Sequence, residues 1–152
     1  MAIIGSTGSG KTTLMNLIPR FIDVTEGTVL VNGCDIREYN KYDLRDAIGY
    51  VPQKRFLFSG DIKSNIKFGD KHITNLQMME AAHIAMADEF VEKMDETYDS
   101  HIAQGGKNVS GGQMQRLCIA RAIAKNPSIY LFDDSFSALD YKTDKEVRGR
   151  LK

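Results

Sequence analysis

The sequence predicts an α/β fold in which helices surround a largely parallel β-sheet. Short apolar runs rich in β-branched residues alternate with segments of helical periodicity, which is the pattern of such a fold. Of the 152 residues, 42% are hydrophobic and 26% are charged, as in ordinary folded domains. The pattern between residues 63 and 127 is almost wholly helical. We therefore expect a helical subdomain inserted into a sheet core whose sheet is incomplete.

The first elements follow from apolar spacing and from breakers. Ala2–Ile4 is a short β-like run that ends in glycines, and Lys11–Ile18 has the periodicity of a helix that Pro19 closes. Gly27–Asn32 and Ala47–Val51 are rich in β-branched residues and predict two strands.

The later elements are mainly helical. Thr74–Met94 predicts helices, with one apolar stripe formed by Leu76, Met79, His83 and Met86. Gln113–Ala124 predicts another helix, and a last one is expected to begin near Asp140. Ile129–Phe132 is a continuous apolar run, which predicts a strand buried on both faces.

Composition excludes several classes of protein. Twenty basic and twenty acidic residues give no net charge, so nucleic acid is not an expected partner. Apolar runs are far shorter than the roughly 20 residues of a membrane span, and no signal peptide precedes the first glycines. Cys34 and Cys118 lie far apart and are expected to be free thiols in a reducing compartment. No cluster of Cys and His predicts a transition-metal site.

The strongest motif is a glycine-rich loop of the form G-x-x-x-x-G-K-[ST], which runs from Gly5 to Thr12. Glycines in such a loop let backbone N–H groups surround phosphates. Lys11 is placed to reach the β- and γ-phosphates, and the Thr12 hydroxyl is placed to bind Mg²⁺.

Residues 40–43 fit N-K-x-D and residues 46–49 fit D-x-x-G, two motifs that GTPases also carry. GTPases carry these motifs in the opposite order, with N-K-x-D far downstream of the loop. We therefore interpret residues 40–46 as a solvated charged segment that leads into a strand.

Two further segments suit phosphate chemistry. Val109 is followed by Ser110, Gly111, Gly112 and Gln113, a small-residue turn that opens a helix and so presents N–H groups to an anion. A capped helix without a ligand explains this turn equally well. Asp133 and Asp134 follow the Ile129–Phe132 strand and are candidates to bind Mg²⁺ and to orient or deprotonate water.

The order of these motifs, with Gln53 and the Ser137–Asp140 segment, resembles the nucleotide-binding domain of ABC transporters, over nearly the whole chain. Residues 50–66 resemble the exporter branch, of multidrug or peptide type. The resemblance implies a P-loop ATPase core, formed by residues 1–62 and 128–152, and a helical subdomain, residues 63–127. It also implies that the sequence covers most of one domain, with parts at both ends outside it.

The resemblance assigns roles residue by residue. The ATP phosphates would be bound by Gly5, Ser6, Thr7, Gly8, Ser9, Gly10, Lys11, Thr12 and Thr13. Mg²⁺ would be held by Thr12, Gln53 and Asp133, and Gln53 would also sense the γ-phosphate. Asp134 stands where the family has its catalytic base.

The resemblance also implies partners. Ser110, Gly111, Gly112 and Gln113 would form the signature motif, which contacts the ATP of the opposite subunit, and Asp140 would couple the two sites. A second nucleotide-binding domain, identical or different, would therefore pair head to tail with this one. The other partner would be a transmembrane domain, which would place the chain on the cytoplasmic face of a membrane.

Two features depart from the family. Asp134 replaces the usual Glu, and no histidine follows Asp140 where the family has its switch histidine. A carboxylate shortened by one methylene is withdrawn from its target, and base catalysis is sensitive to such misplacement. We therefore expect a degenerate site that binds ATP and hydrolyses it slowly, as in one half of a heterodimeric exporter.

Alternatives remain open. One is a non-catalytic regulatory module that binds ATP; another is an ABC-type ATPase of DNA maintenance, although no sustained heptads separate Thr12 from Ser110. Among the remaining residues, we expect His83 to pack within a helix and the methionines at 78, 79, 86 and 94 to belong to the helical core. Phe56, Leu57 and Phe58 are candidates to face a membrane domain, and the charges of residues 142–152 are expected to form a solvated helix face.

Overall fold

The computed structural model describes residues 1–151 as a mixed helix and strand fold. The helices are α1 (Lys11–Leu17), α2 (Lys41–Asp46), α3 (Ile62–Ile66), α4 (Asn75–Ile84), α5 (Asp88–Val91), α6 (Gly111–Ala124) and α7 (Tyr141–Arg150). The strands are β1 (Leu30–Val31), β2 (Cys34–Asp35), β3 (Ile48–Val51), β4 (Gly60–Asp61), β5 (His101–Ile102) and β6 (Ile129–Phe132).

The strands form three two-stranded sheets, and the pair β3–β6 is the one that positions the candidate site. It is parallel, and Ile48 lies opposite Ile129 while Val51 lies opposite Phe132. β1–β2 and β4–β5 are antiparallel. Because parallel strands end on the same side, the residues after Val51 and after Phe132 meet at one edge.

Two apolar clusters hold the fold together. The larger one centres on α6, whose Leu117 and Ile119 are fully buried against α3 and α4. The smaller one joins α1, α2 and the β3–β6 pair through Met15, Ile36, Leu44, Ile48 and Leu131.

The predicted strands are shorter or more exposed than expected. Ala2–Ile4 forms no strand, and Gly27–Asn32 contributes only Leu30–Val31. A strand is stabilised by a paired neighbour, and within residues 1–151 none pairs with Ala2–Ile4. The prediction that Ile129–Phe132 is buried on both faces is wrong, because Tyr130 is 38% exposed.

The apolar stripe predicted for Thr74–Met94 is also wrong. Leu76, Met79 and His83 are exposed, and of the four stripe residues only Met86 is buried. α4 instead packs against α6 through the buried Met78, Ala81 and Ala82. The small alanines let the two helices approach closely, so the buried face is offset from the one that the larger side chains suggested.

His83 is therefore not a packed core residue. Its Nδ1 lies 2.7 Å from Asp88 Oδ2, and its side chain is 62% exposed. Among the methionines, Met78 and Met86 belong to the core, Met94 is half-buried against it, and Met79 is exposed.

Two other segments refine the expectations. Residues 41–46, interpreted as a solvated segment, form α2: Asn40 Oδ1 accepts from the Tyr42 N–H, and Leu44 is buried. The charged residues after 141 form α7, whose Val147 is buried, while Lys152 lies outside the described residues. None of the helices within residues 1–151 has the length and apolar character needed to cross a bilayer.

Candidate functional site

The glycine-rich loop turns directly into α1. Gly8 and Gly10 have φ of 81° and 85°, a left-handed conformation that glycine adopts without the strain of a Cβ. Gly10 is the N-terminal cap of α1, and no side chain caps the helix, so its first N–H groups stay free of side-chain partners. The Lys11 ammonium donates to the carbonyls of Gly5 and Ser6, both at 2.8 Å. The loop thus directs backbone donors and one cation to the same place.

Helix α1 is fastened to β3. Tyr50 Oη lies 3.1 Å from Asn16 Oδ1, and the Tyr50 ring meets Phe21 edge-on with centroids 5.6 Å apart. Burial, together with the negative charge of Asp133, raises the pKa of Tyr50, so its hydroxyl stays protonated and can donate. These contacts hold the segment of α1 and Phe21, which follows the loop, against β3.

Gln53, Asp133 and Asp134 meet at that edge. Asp133 follows β6 and is 4% exposed, with its backbone N–H bonded to the Val51 carbonyl at 3.0 Å. Gln53 Nε2 lies 3.5 Å from Asp134 Oδ2. Two residues separated by 81 positions are thus brought together by the β3–β6 register.

Oδ2 of the buried Asp133 side chain has no hydrogen-bond partner among the described residues. A buried charged oxygen normally has a partner, because leaving one unpaired is costly. A divalent cation is a partner that such a carboxylate would take. The donor set of Asp133, Thr12 and Gln53, all oxygens, suits Mg²⁺.

Sequence reasoning missed Ser135. Its side chain is 1% exposed and its Oγ donates to the Val51 carbonyl at 2.9 Å. Between Asp133 and Ser135, Asp134 has a φ of 48°. Asp residues adopt the left-handed conformation at tight turns. The sequence shows only that residue 135 is polar, and it indicates neither the turn nor the hydrogen-bond partner of Ser135.

The Ser110 turn opens α6 through a reciprocal cap. Ser110 Oγ accepts from the Gln113 N–H at 3.2 Å, and the Gln113 side chain accepts from the Ser110 N–H at 2.9 Å. A Cβ added at Gly112 would lie 3.5 Å from the Ala138 carbonyl oxygen, and one at Gly111 would lie 3.9 Å from Arg55 Nη1. The turn therefore packs close to the segment that precedes Asp140.

Asp140 caps α7. Its carboxylate accepts from the Thr143 hydroxyl at 2.7 Å and from the Thr143 N–H at 3.0 Å. These bonds to Thr143, the side-chain one foremost, lower the pKa of Asp140 below its ordinary value.

The predicted residues thus fall into two groups. The glycine-rich loop, Gln53, Asp133 and Asp134 belong to the region organised by α1 and the β3–β6 pair, whereas Ser110–Gln113 lies beside the Asp140 segment. Within residues 1–151, no hydrogen bond joins the loop of residues 5–13 to Ser110–Gln113. The described residues also hold no group of three or more His, Cys, Asp and Glu suited to a metal.

Comparison with known proteins gives one family. The sequence profile described as ABC transporter matches residues 1–137. A solved structure of a bacterial Atm1-family ABC exporter with ATP bound superposes with a TM-score of 0.92 at 37% sequence identity, over 96% of this chain and 26% of that one.

Curated relatives agree. An uncharacterized ABC transporter ATP-binding protein of Mycobacterium tuberculosis is 52% identical over 99% of this chain and 26% of its own length. An ATP-dependent lipid A-core flippase of Syntrophus aciditrophicus is 42% identical over 100% of this chain and 25% of its own length. A putative multidrug export ATP-binding/permease protein of Bacillus subtilis is 43% identical over 99% of this chain and 26% of its own length. The chain spans about a quarter of the length of these relatives.

Proposed function

The chain belongs to the ABC transporter family, and we propose that it is the ATP-binding and ATP-hydrolysing domain that powers an exporter. The observation that carries the proposal is the meeting of Gln53, Asp133 and Asp134 at the edge where β3 and β6 end. The glycine-rich loop, whose helix α1 contacts β3 through Asn16 and Tyr50, would supply the other half of a nucleotide site.

Binding of ATP would rest on the loop. Gly5 to Thr13 would present N–H groups and the positive end of α1 to the phosphates, and Lys11 would exchange its bonds to the Gly5 and Ser6 carbonyls for phosphate oxygens. Mg²⁺ held by Thr12, Gln53 and Asp133 would neutralise negative charge on the phosphates. The unpartnered Oδ2 of Asp133 supports this assignment.

Hydrolysis would rest on Asp134, whose carboxylate would orient water or accept its proton. The Asp134 side chain is exposed at the edge and within 3.5 Å of the Gln53 amide, so it is accessible to a water. Asp is one methylene shorter than the Glu found in the family, and we infer that this site turns over slowly. The chain would then be the degenerate half of a heterodimer, lending its intact Ser110–Gln113 turn to the partner's site.

Head-to-tail pairing of two such domains is supported by the separation of the two groups of residues. Ser110–Gln113 opens a 14-residue helix with its turn exposed, but makes no hydrogen bond to this chain's own loop within residues 1–151. A second domain would place its signature turn on this chain's ATP, and Asp140, beside the signature turn, would couple the two sites.

Docking to a transmembrane domain is supported by an aromatic patch formed by Phe56, Phe58 and Phe68. Phe56 and Phe58 meet edge-on at 5.1 Å, Phe58 and Phe68 stack at 4.0 Å, and all three are exposed. Leu57, which was expected on this surface, is fully buried and belongs to the core. Phe56 and Phe58 lie a few residues after Gln53, so the patch would link the ATP site to the membrane domain on the cytoplasmic side.

The division into a core, residues 1–62 and 128–152, and a helical subdomain, residues 63–127, also remains a proposal. The smaller apolar cluster lies wholly within the proposed core and supports it. The larger cluster joins both parts, since Val51 and Val147 pack with residues of α4 and α6. The two parts would therefore move against each other only by repacking this cluster.

The test separates ATP binding from ATP hydrolysis in the full-length protein that carries this chain. Asp134→Glu is expected to raise steady-state ATP turnover by about tenfold or more while leaving ATP affinity within about twofold, because it restores the reach of the base. Asp95→Glu, an exposed aspartate outside the site, is the matched control and should change neither.

The second candidate is the regulatory module that binds ATP without hydrolysing it, and the Asp at position 134 favours it. If Asp134→Glu binds ATP but shows no rise in turnover, the degenerate-site proposal is wrong and the regulatory module replaces it. If neither the native protein nor Asp134→Glu binds ATP, both candidate functions are excluded.

A further inference from the structure

We propose that Ser135 is a positioning residue for the nucleotide site: its buried hydroxyl fixes Asp134 relative to Gln53. The inference rests on the proposed ATPase function for its effect on turnover. Its structural basis is independent of that function, because it lies in the hydrogen bonds that Asp133 and Ser135 make to one carbonyl.

The Val51 carbonyl is the shared anchor. It accepts from the Asp133 N–H at 3.0 Å and from Ser135 Oγ at 2.9 Å. A carbonyl oxygen has two lone pairs, so both bonds form together. Ser135 Oγ lies farther from the Asp133 carbonyl, at 3.3 Å, so its single proton is directed to Val51.

Both neighbours of Asp134 are thereby held on one atom. Asp134 bridges them with a φ of 48°, and its carbonyl accepts from Ser137 Oγ at 3.0 Å. A backbone in this left-handed region is stable for a non-glycine residue only where surrounding contacts hold it. Without the Ser135 bond, the turn can relax and swing the Asp134 carboxylate away from the edge.

The same carbonyl also fixes the start of the Gln53 segment, because Val51 is only two residues before Gln53. The Val51 carbonyl therefore positions both partners of the 3.5 Å contact between Gln53 Nε2 and Asp134 Oδ2, because both residues are close to it along the chain or through its hydrogen bonds. Ser135 is 1% exposed, so water cannot replace its hydroxyl.

The test compares Ser135→Ala with Ser100→Ala in the full-length protein with Mg-ATP. Ser135→Ala leaves the Val51 carbonyl bonded to the Asp133 N–H, so the variant creates no unpaired carbonyl. Ser100 is a matched control, since it is also a buried serine, 6% exposed, but its Oγ has no partner among the described residues.

Two readouts are measured. Hydrogen exchange of the amides of residues 133–136 is expected to become about fivefold faster in Ser135→Ala and to stay unchanged in Ser100→Ala. In the Asp134→Glu background, where turnover is measurable, Ser135→Ala is expected to lower kcat about tenfold while the Kd for ATP changes less than twofold.

Unchanged exchange in Ser135→Ala would overturn the proposal, and so would faster exchange without a fall in kcat. Absence of any hydrolysis in the Asp134→Glu background would overturn the proposed ATPase function instead. In that case the exchange comparison alone decides whether Ser135 holds the turn.

Discussion

The Asp140 carboxylate caps the N-terminus of α7. The Thr143 hydroxyl and N–H both donate to it, and they favour the ionised form, which lowers the pKa. A group whose pKa is lower in the folded protein stabilises the fold above its ordinary pKa and loses that contribution as pH falls through the lowered value.

We predict that the contribution of Asp140 to stability is constant near neutral pH and is lost in acid, below its ordinary pKa of 3.8. Asn at this position also caps a helix but does not titrate. Thermal unfolding of the native protein and of Asp140→Asn, measured from about pH 3 to pH 7, isolates the effect. The difference in Tm should favour the native protein at pH 7 and shrink in acid; a difference that does not vary with pH contradicts the account.

Single residues differ in how far the sequence alone reveals them. Ser110 and Asp140 were placed at helix starts because a cap is a local interaction that spacing shows. Ser135 was missed because its partner, Val51, is 84 positions away. His83 was misplaced because its burial depended on which face of α4 packs against α6.

At the scale of elements, the contact of β3 with α6 shows why glycine stands in a strand. A Cβ added at Gly49 would lie 2.7 Å from Pro127 Cγ and 2.8 Å from the Ala122 carbonyl oxygen. Both distances are too short for a carbon contact, so the strand and the end of α6 would have to separate.

We predict that Gly49→Ala destabilises the protein by about 1–3 kcal/mol, the usual cost of overpacking a core. Gly149 in α7 is the matched control: nothing lies within 4 Å of its added Cβ. Gly149→Ala should stabilise by about 0.5–1 kcal/mol, since Ala favours a helix. Urea unfolding of both variants measures the difference, and equal stabilities would show that the close packing of β3 on α6 is not maintained in solution.

Helices and strands could be predicted where the local sequence pattern was strong. The prediction failed where packing against neighbouring elements determines the structure. β6 has the ends that its apolar pattern predicts, and α6 begins two residues before the predicted Gln113. α4 was predicted as a helix, but not its buried face, because Met, Leu and Ala occur all round it and only its contact with α6 selects one side. α2 was missed because most of its residues are charged or polar, and one buried leucine, Leu44, is too few to show a helical apolar pattern.

At the scale of the whole molecule, the site is assembled from segments that are distant in sequence. Gln53 and Asp134 meet through the parallel register of β3 and β6, and α1 contacts β3 through Asn16 and Tyr50. The motifs and their order were enough to predict the family and the fold class. The sequence did not predict the exposure of Tyr130 or the absence of a strand at Ala2–Ile4, because both depend on which strands lie beside these residues.

The central claim is that this chain binds ATP on its glycine-rich loop. Equilibrium binding of Mg-ATP to the full-length protein tests it most directly. Within residues 1–151, the Lys11 ammonium donates only to two carbonyls and a hydroxyl of that loop, so Lys11→Ala should leave the fold intact. We predict that it weakens ATP binding by about tenfold or more, since a charge-assisted bond to phosphate is lost. Lys71→Ala, an exposed lysine outside the loop, should bind ATP as the native protein does. Equal affinity in the native and Lys11→Ala proteins, or no binding to the native protein, would contradict the account.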